Sequence, residues 1–237
     1  MTTLRPTVSV VTVCYNSLPA LQKTMESVNA QRYPALEYII VDGGSTDGTS
    51  QYLESASIPC RWVSERDNGI YDAMNKGVSM ATGDFVIFMN AGDIFASDDV
   101  LERVFDRGTD ADVIYGDVIK GGSIKKAEAM HNSHRMFFCH QSCLARRERL
   151  VETPFDIRHR MSADFKWVKT MVKEGRRFMQ VNFPIADFDT SGVSNSSRSR
   201  GLRDNMRVVS EVDSFIDRLK LMPRLLVPYI ICRLRGK

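Results

Sequence analysis

Five consecutive apolar residues, Phe85 to Met89, run into Asn90-Ala91-Gly92-Asp93. The run lacks the alternation of a strand with one wet face, so both its faces are expected to be buried, as in a central parallel strand. Such a strand commits the chain to an α/β sheet, and in open α/β sheets ligands bind beyond the carboxyl ends of the strands. There stands Asp93, the sole charge of a turn built from an amide and two small residues. A lone carboxylate in that place suits Mg²⁺ or Mn²⁺ carried on a phosphate, because these ions take oxygen ligands from one or two carboxylates and from substrate phosphates. The competing reading is a helix N-cap, by Asp93 itself or by Ser97-Asp98-Asp99 ahead of a helix near 98–107.

The preceding segments supply the alternation such a sheet needs. Val8 to Tyr15, Glu37 to Val41 and Arg61 to Ser64 read as strands, and Leu18 to Ala30 and Tyr71 to Met80 carry apolar residues at helical spacing. The resulting βαβαβαβ series predicts a mostly parallel sheet with helices on both faces. Beyond Asp93 the pattern predicts a strand over 112–119 entering a hairpin through Lys120-Gly121-Gly122-Ser123, a helix over 164–173, a short strand over 178–183 and a Ser/Gly/Arg-rich loop over 191–200. At 237 residues the chain accommodates one Rossmann-like domain, residues 1–200, and a basic helical segment, 201–237.

A net charge of +3 is too mild to argue for nucleic acid. Five cysteines without a CxxC pair predict reduced thiols and a cytoplasmic protein. No charged-then-apolar leader opens the sequence, and no apolar stretch reaches the roughly 18–20 residues of a membrane span. Arg218 to Lys237 holds six basic residues and no acidic one, with high apolar content. That mixture fits an interfacial segment on the anionic inner leaflet of a membrane. It also fits a helix docked on the domain or in a dimer, broken by Pro223 and Pro228.

The glycine-rich turn after the second strand fits neither nucleotide fingerprint. A GxGxxG motif from Gly43 would need glycine where Ser45 stands, and a P-loop would need lysine where Thr49 stands. What remains is a carboxylate at each of two strand tips, Asp42 and Asp93. A carboxylate can accept the imide N–H of uracil, and Tyr15 at the first strand's tip can stack on the base. Asp42 and Asp47 can equally satisfy backbone N–H groups in an Asx turn.

Taken in order, Val8 to Asn16, Val41-Asp42-Gly43-Gly44-Ser45-Thr46-Asp47-Gly48-Thr49 and Asn90-Ala91-Gly92-Asp93 resemble the family 2 glycosyltransferases, which have the GT-A fold. Ser64 to Gly77 resembles a subgroup of bacterial polysaccharide-assembly enzymes, including colanic acid-type transferases. The resemblance covers roughly residues 7–190. It implies that Tyr15, Asn16, Asp42 and Gly43 hold the nucleobase of a nucleotide-sugar, and that Asp67, Asp72, Asn75 and Lys76 lie along its ribose, sugar and diphosphate, next to Asn90, Ala91 and Gly92. Asp72, Asn75 and Lys76 share one helix face by spacing, which is also what a solvated face would show. Many relatives carry Asp-x-Asp-Asp where this chain has Asn90-Ala91-Gly92-Asp93, so metal binding would rest on Asp93, the diphosphate and water.

The resemblance further implies an inverting transfer. A general base must reach the acceptor hydroxyl, and the family's acidic motif at a helix start falls on Asp164. Ser162 or Asp164 could instead simply cap that helix. His140-Gln141 resembles an acceptor-side element able to hold a phosphate or a hydroxyl, although a lone histidine is often structural. Trp167 reads as core. The expected protein is thus a membrane-peripheral enzyme of polysaccharide synthesis acting on a lipid-linked or polysaccharide acceptor. A sugar-phosphate nucleotidyltransferase and a non-catalytic nucleotide-sugar-binding protein are the alternatives.

Overall fold

A computed structural model describes residues 5–190 and 198–235. Its first half is β1 (Val8–Cys14), α1 (Leu18–Asn29), β2 (Leu36–Asp42), α2 (Thr49–Ser55), β3 (Arg61–Ser64), α3 (Ile70–Met80) and β4 (Phe85–Phe88). The second half is β5 (Ile94–Phe95), α4 (Val100–Phe105), β6 (Val113–Lys120), β7 (Ser123–Lys125), a 3-10 turn (His140–Ser142), β8 (Cys143–Arg146), α5 (Arg147–Glu152), α6 (Ala163–Lys173), β9 (Phe178–Phe188), α7 (Arg198–Val212) and α8 (Phe215–Leu234).

The first four strands are parallel in the order β3-β2-β1-β4. Every residue of β1 and β4 is buried, as the unbroken apolar runs predict. Phe85, Ile87 and Met89 pack with Val8, Val10 and Ile40 beneath α1 and α4, whereas Val86 and Phe88 pack with Val11, Ile39 and Val41 beneath α3 and α6. Helices therefore cover both faces.

Past β4 the sheet becomes mixed: β8 lies antiparallel between β4 and β6, and β9 runs parallel to β6. This reversal matters for the site. Chain entering β8 arrives at the carboxyl end of β4, so the 3-10 turn sits just beyond Phe88. β9 continues past the predicted end at Phe183 to Phe188, because a register shift beside Asp117 and Pro184 lets the strand carry a proline without breaking. It thereby delivers Asp189 to the same edge.

α7 and α8 close on α6 through Phe165, Val208, Val209, Leu221 and Leu225. Within the loop expected over 191–200, residues 198–200 already belong to α7, and 191–197 lie outside the described residues. α8 runs unbroken through Pro223 and Pro228. The carbonyls that lose their donors are those of Leu219 and Arg224, both on exposed residues where water can serve them. No helix among the described residues is long and apolar enough to cross a membrane.

Candidate active site

Parallel register places the strand tips in one row. Cys14, Asp42 and Ser64 are neighbours across β1, β2 and β3, and Ala91 donates its N–H to Val13 O at 3.1 Å. Asp42 and Asp93 thus emerge at the same carboxyl edge.

On the β1–β3 side, Tyr15 is 64% exposed and its ring lies against Gly43. A Cβ on Gly43 would fall 2.6 Å from Asp67 Oδ2 and 3.3 Å from the Tyr15 ring, so glycine here lets the two side chains converge. Asp67 is held by the Gly69 N–H at 2.8 Å. Asp42 lies beneath them, fully buried, accepting from Ser45 N–H at 3.0 Å, from Ser64 Oγ at 2.6 Å and from the Ser45 hydroxyl. Asn16, at φ +46°, ties the two turns together: its Oδ1 accepts the Thr46 N–H at 2.8 Å. Asp47 forms the Asx turn, accepting from Thr49 and from Leu18 N–H, bonds that hold its carboxyl below the usual range.

Asp72, Asn75 and Lys76 start on one helix face but their side chains diverge. Asp72 accepts the Asn68 N–H at 2.9 Å; Lys76 donates to Arg66 O at 3.0 Å and pairs with Glu65 at 2.8 Å. Together they brace the 65–69 loop that carries Asp67. Asn75 faces away from that loop and clamps Phe155, donating to its carbonyl at 2.8 Å and accepting its N–H at 2.9 Å.

At the β4 tip, Asp93 is 3% exposed. Burial pushes its carboxyl up to about 7, helped by the Asp189 charge and opposed by hydrogen bonds from the Asp189 N–H (2.9 Å) and the Gln141 amide. Gly92, at φ +104°, presses so close to the Asp189 carboxylate that no side chain could stand there. Two carboxylates meeting here, Asp93 after β4 and Asp189 after β9, with a buried Asn90 Oδ1 that has no hydrogen-bond partner among the described residues, make an all-oxygen donor set that fits Mg²⁺ or Mn²⁺. Asp189 had no strand to place it while β9 was expected to end at 183.

The 3-10 turn lies between Asp93 and Asp164. Gln141 faces Asp93, while the His140 ring packs on Phe88 (5.3 Å between centroids) and edge-on to Phe155 (5.7 Å). Burial depresses the His140 pKa, and the nearby Asp164 charge only partly offsets it, leaving a neutral imidazole at pH 7. Asp164, partly exposed in the first turn of α6, accepts the Tyr71 hydroxyl at 2.7 Å. Ser162 holds the N-cap position without a side-chain capping bond; its hydroxyl donates to Asn205 Oδ1 instead. Asp164 therefore opens the helix without serving as its cap. Trp167 is core, at 3% exposure. Tyr71 is a further candidate through this hydrogen bond: its helical spacing marks it only as core, and its partner Asp164 is 93 residues away.

Asp156, His159 and Glu211 also cluster closely enough for a metal. However, the Lys166 ammonium already bridges Asp156 (2.7 Å) and Glu211 (2.5 Å), and His159 is locked between Asp204 and Glu211 at 3.0 Å each. This cluster carries its own cation and ties α7 to α6.

Comparison with known proteins agrees with this architecture. An uncharacterized glycosyltransferase of Mycobacterium tuberculosis is 45% identical over 103 residues, 43% of this chain and 39% of that protein's length. A PGL/p-HBAD biosynthesis glycosyltransferase of Mycobacterium bovis is 34% identical over 176 residues, covering 68% of this chain and 67% of the relative. Among solved structures, the Pyrobaculum calidifontis mannosyltransferase PcManGT in complex with GDP-Man and Mn²⁺ superposes with a TM-score of 0.67 at 20% identity, over 88% of this chain and 64% of that one. The fold is GT-A. Since the family model described as Glycosyl transferase family 2 matches residues 9–174, well over half the sequence, the chain belongs to that family of glycosyltransferases.

Proposed function

We propose that this enzyme transfers a sugar from a nucleotide-sugar, a UDP-sugar foremost, to a hydroxyl of a lipid-linked or polysaccharide acceptor, inverting the anomeric carbon. One observation carries the reading. A single turn, Cys139–Ser142, reaches both acids: Gln141 hydrogen-bonds to Asp93, and His140 packs edge-on to Phe155 (5.7 Å), which packs in turn on Tyr71 (5.6 Å), whose hydroxyl meets Asp164. A cation held at Asp93 and a general base at Asp164 would therefore flank this one turn at the carboxyl edge of the parallel strands.

In this reading Tyr15 stacks on the base, while Asp67, rather than the enclosed Asp42, reaches the nucleoside. Asn90, Asp93 and Asp189 would hold a divalent cation, which would supply positive charge against the departing diphosphate. Asp164 takes the proton of the acceptor hydroxyl as its oxygen attacks the anomeric carbon and the nucleoside diphosphate leaves. Neutral His140 orients the acceptor by hydrogen bonding. Solved relatives support the donor class, being complexes with GDP-Man and Mn²⁺ or with UDP and Mn²⁺. The PGL/p-HBAD and Erwinia amylovora amylovoran biosynthesis relatives support a glycolipid or polysaccharide product.

The test is a thermal-shift screen of UDP-, GDP- and dTDP-sugars with and without Mn²⁺, followed by donor hydrolysis. Asp164→Asn should bind donor as the wild type does and lose hydrolysis by roughly 10²–10⁴-fold. Hydrolysis at the wild-type rate in that variant removes Asp164 as base. Absence of stabilisation by any nucleotide-sugar refutes the reading altogether.

A further inference from the structure

α8 has two apolar faces. Leu221, Leu225 and Cys232 are buried, and the first two share a core cluster with Phe165, Val208 and Val209. On the opposite side Ile216, Leu219, Pro223, Leu226 and Ile230 recur at three- and four-residue spacing, all exposed. Most of the large hydrophobic side chains exposed among the described residues lie on this one helix, from Phe215 at 74% to Leu234 at 82%. Its 20 residues span about 30 Å. A continuous apolar strip of that length on a protein surface marks something that covers it.

The borders of the strip identify the cover. Exposed Lys220, Arg224 and Arg235 line one side and Arg233 the other. Two copies meeting along this stripe would crowd these cations, whereas an anionic surface would satisfy them. We infer that the outer stripe of α8 seats the enzyme in the interfacial plane of an anionic lipid bilayer, apolar side chains among the acyl chains and the basic borders among the headgroups. The inner stripe shares its core cluster with Val208 and Val209 of α7 and with Phe165, the residue after Asp164, so the lipid-facing helix belongs to the same packed layer as the helix bearing Asp164. Resting on the proposed transfer, this geometry makes the acceptor a membrane-anchored one, its sugar or phosphate head presented at the bilayer surface.

Full-length protein is sedimented with phosphatidylcholine vesicles with and without phosphatidylglycerol, at low and high salt. Binding only to the anionic vesicles, weakened by salt, is expected. Leu226→Glu with Ile230→Glu should abolish it, and Lys220→Gln or Arg224→Gln should each lower it about fivefold. Donor binding and hydrolysis in solution should stay at wild-type levels in these variants, showing that they fold. No sedimentation of the wild type with anionic vesicles overturns the inference, as does binding that survives the double glutamate variant. So does a dimer by light scattering that the double variant splits in the absence of vesicle binding. A failed donor screen alongside intact vesicle binding would reject the transferase reading and leave the membrane surface standing.

Discussion

The Tyr71 hydroxyl meets Asp164 Oδ1 at 2.7 Å, joining α3 to α6, the helix that carries the proposed base. Tyr71 is buried, and its own pKa is raised by burial first and by the Asp164 charge second. The phenol therefore stays protonated and its hydrogen bond is aimed permanently at one carboxylate oxygen. Tyr71→Phe keeps the ring and removes that bond. A hydrogen bond to a charged group is worth about 1.5–3 kcal/mol, so transfer should fall roughly ten- to hundredfold with donor affinity unchanged, as steady-state kinetics would show.

Asn75 is read differently by spacing and by structure. Because its amide clamps both backbone groups of Phe155, Asn75→Ala should cost about 2 kcal/mol in urea unfolding. UDP affinity should remain near wild type. A large loss of UDP affinity with unchanged stability would instead restore the donor-contact role.

Asp93 sets a pH dependence. Its carboxyl titrates near 7 in the folded protein against 3.8 ordinarily, so the folded state keeps a proton that the unfolded chain releases. Its stabilising share is thus complete below pH 3.8 and is lost as pH rises towards 7. A divalent cation favours the ionised form and reverses this trend. The Tm increment from Mn²⁺ with UDP should be small at pH 5 to 6 (about one to two units below that titration) and should grow through pH 7. Asp93→Asn should erase the increment at every pH and raise the melting temperature of the metal-free protein above pH 7. Asp189→Asn should weaken the increment.

Lys169 and Asp213 form an ion pair at 2.7 Å with both side chains essentially inaccessible, holding α6 to the end of α7. Asp213→Asn leaves an uncompensated buried ammonium and should cost about 3–5 kcal/mol by chemical denaturation. The paired change Lys169→Met, Asp213→Leu should recover most of it, because burying two apolar groups avoids the desolvation of both charges.

The first half of the fold was legible because its signals are local. An unbroken apolar run at β4, β-branched runs at β1 and β2 and helical spacing in α1 and α3 each carry their own periodicity, and parallel order follows from the alternation. The positions of Gly43, Asp67 and Asp93 at the carboxyl edge were legible for the same reason: they stand just after strands, where such sheets bind ligands. Asp189 was not, since a proline that usually ends a strand is carried here by a register shift that depends on β6.

What the amino-acid sequence determined by itself was the α/β class, the strand tips and the acidic residues gathered at them. Tertiary structure alone decided which partners each of those residues meets. Asp42 turns inward to Ser45 and Ser64, Asn75 turns to Phe155, and Asp189 and Tyr71 arrive from elements 96 and 93 residues distant from their partners. Periodicity records which face of its own element a residue occupies, but a side chain's partners come from elements whose approach is set only when the whole sheet closes.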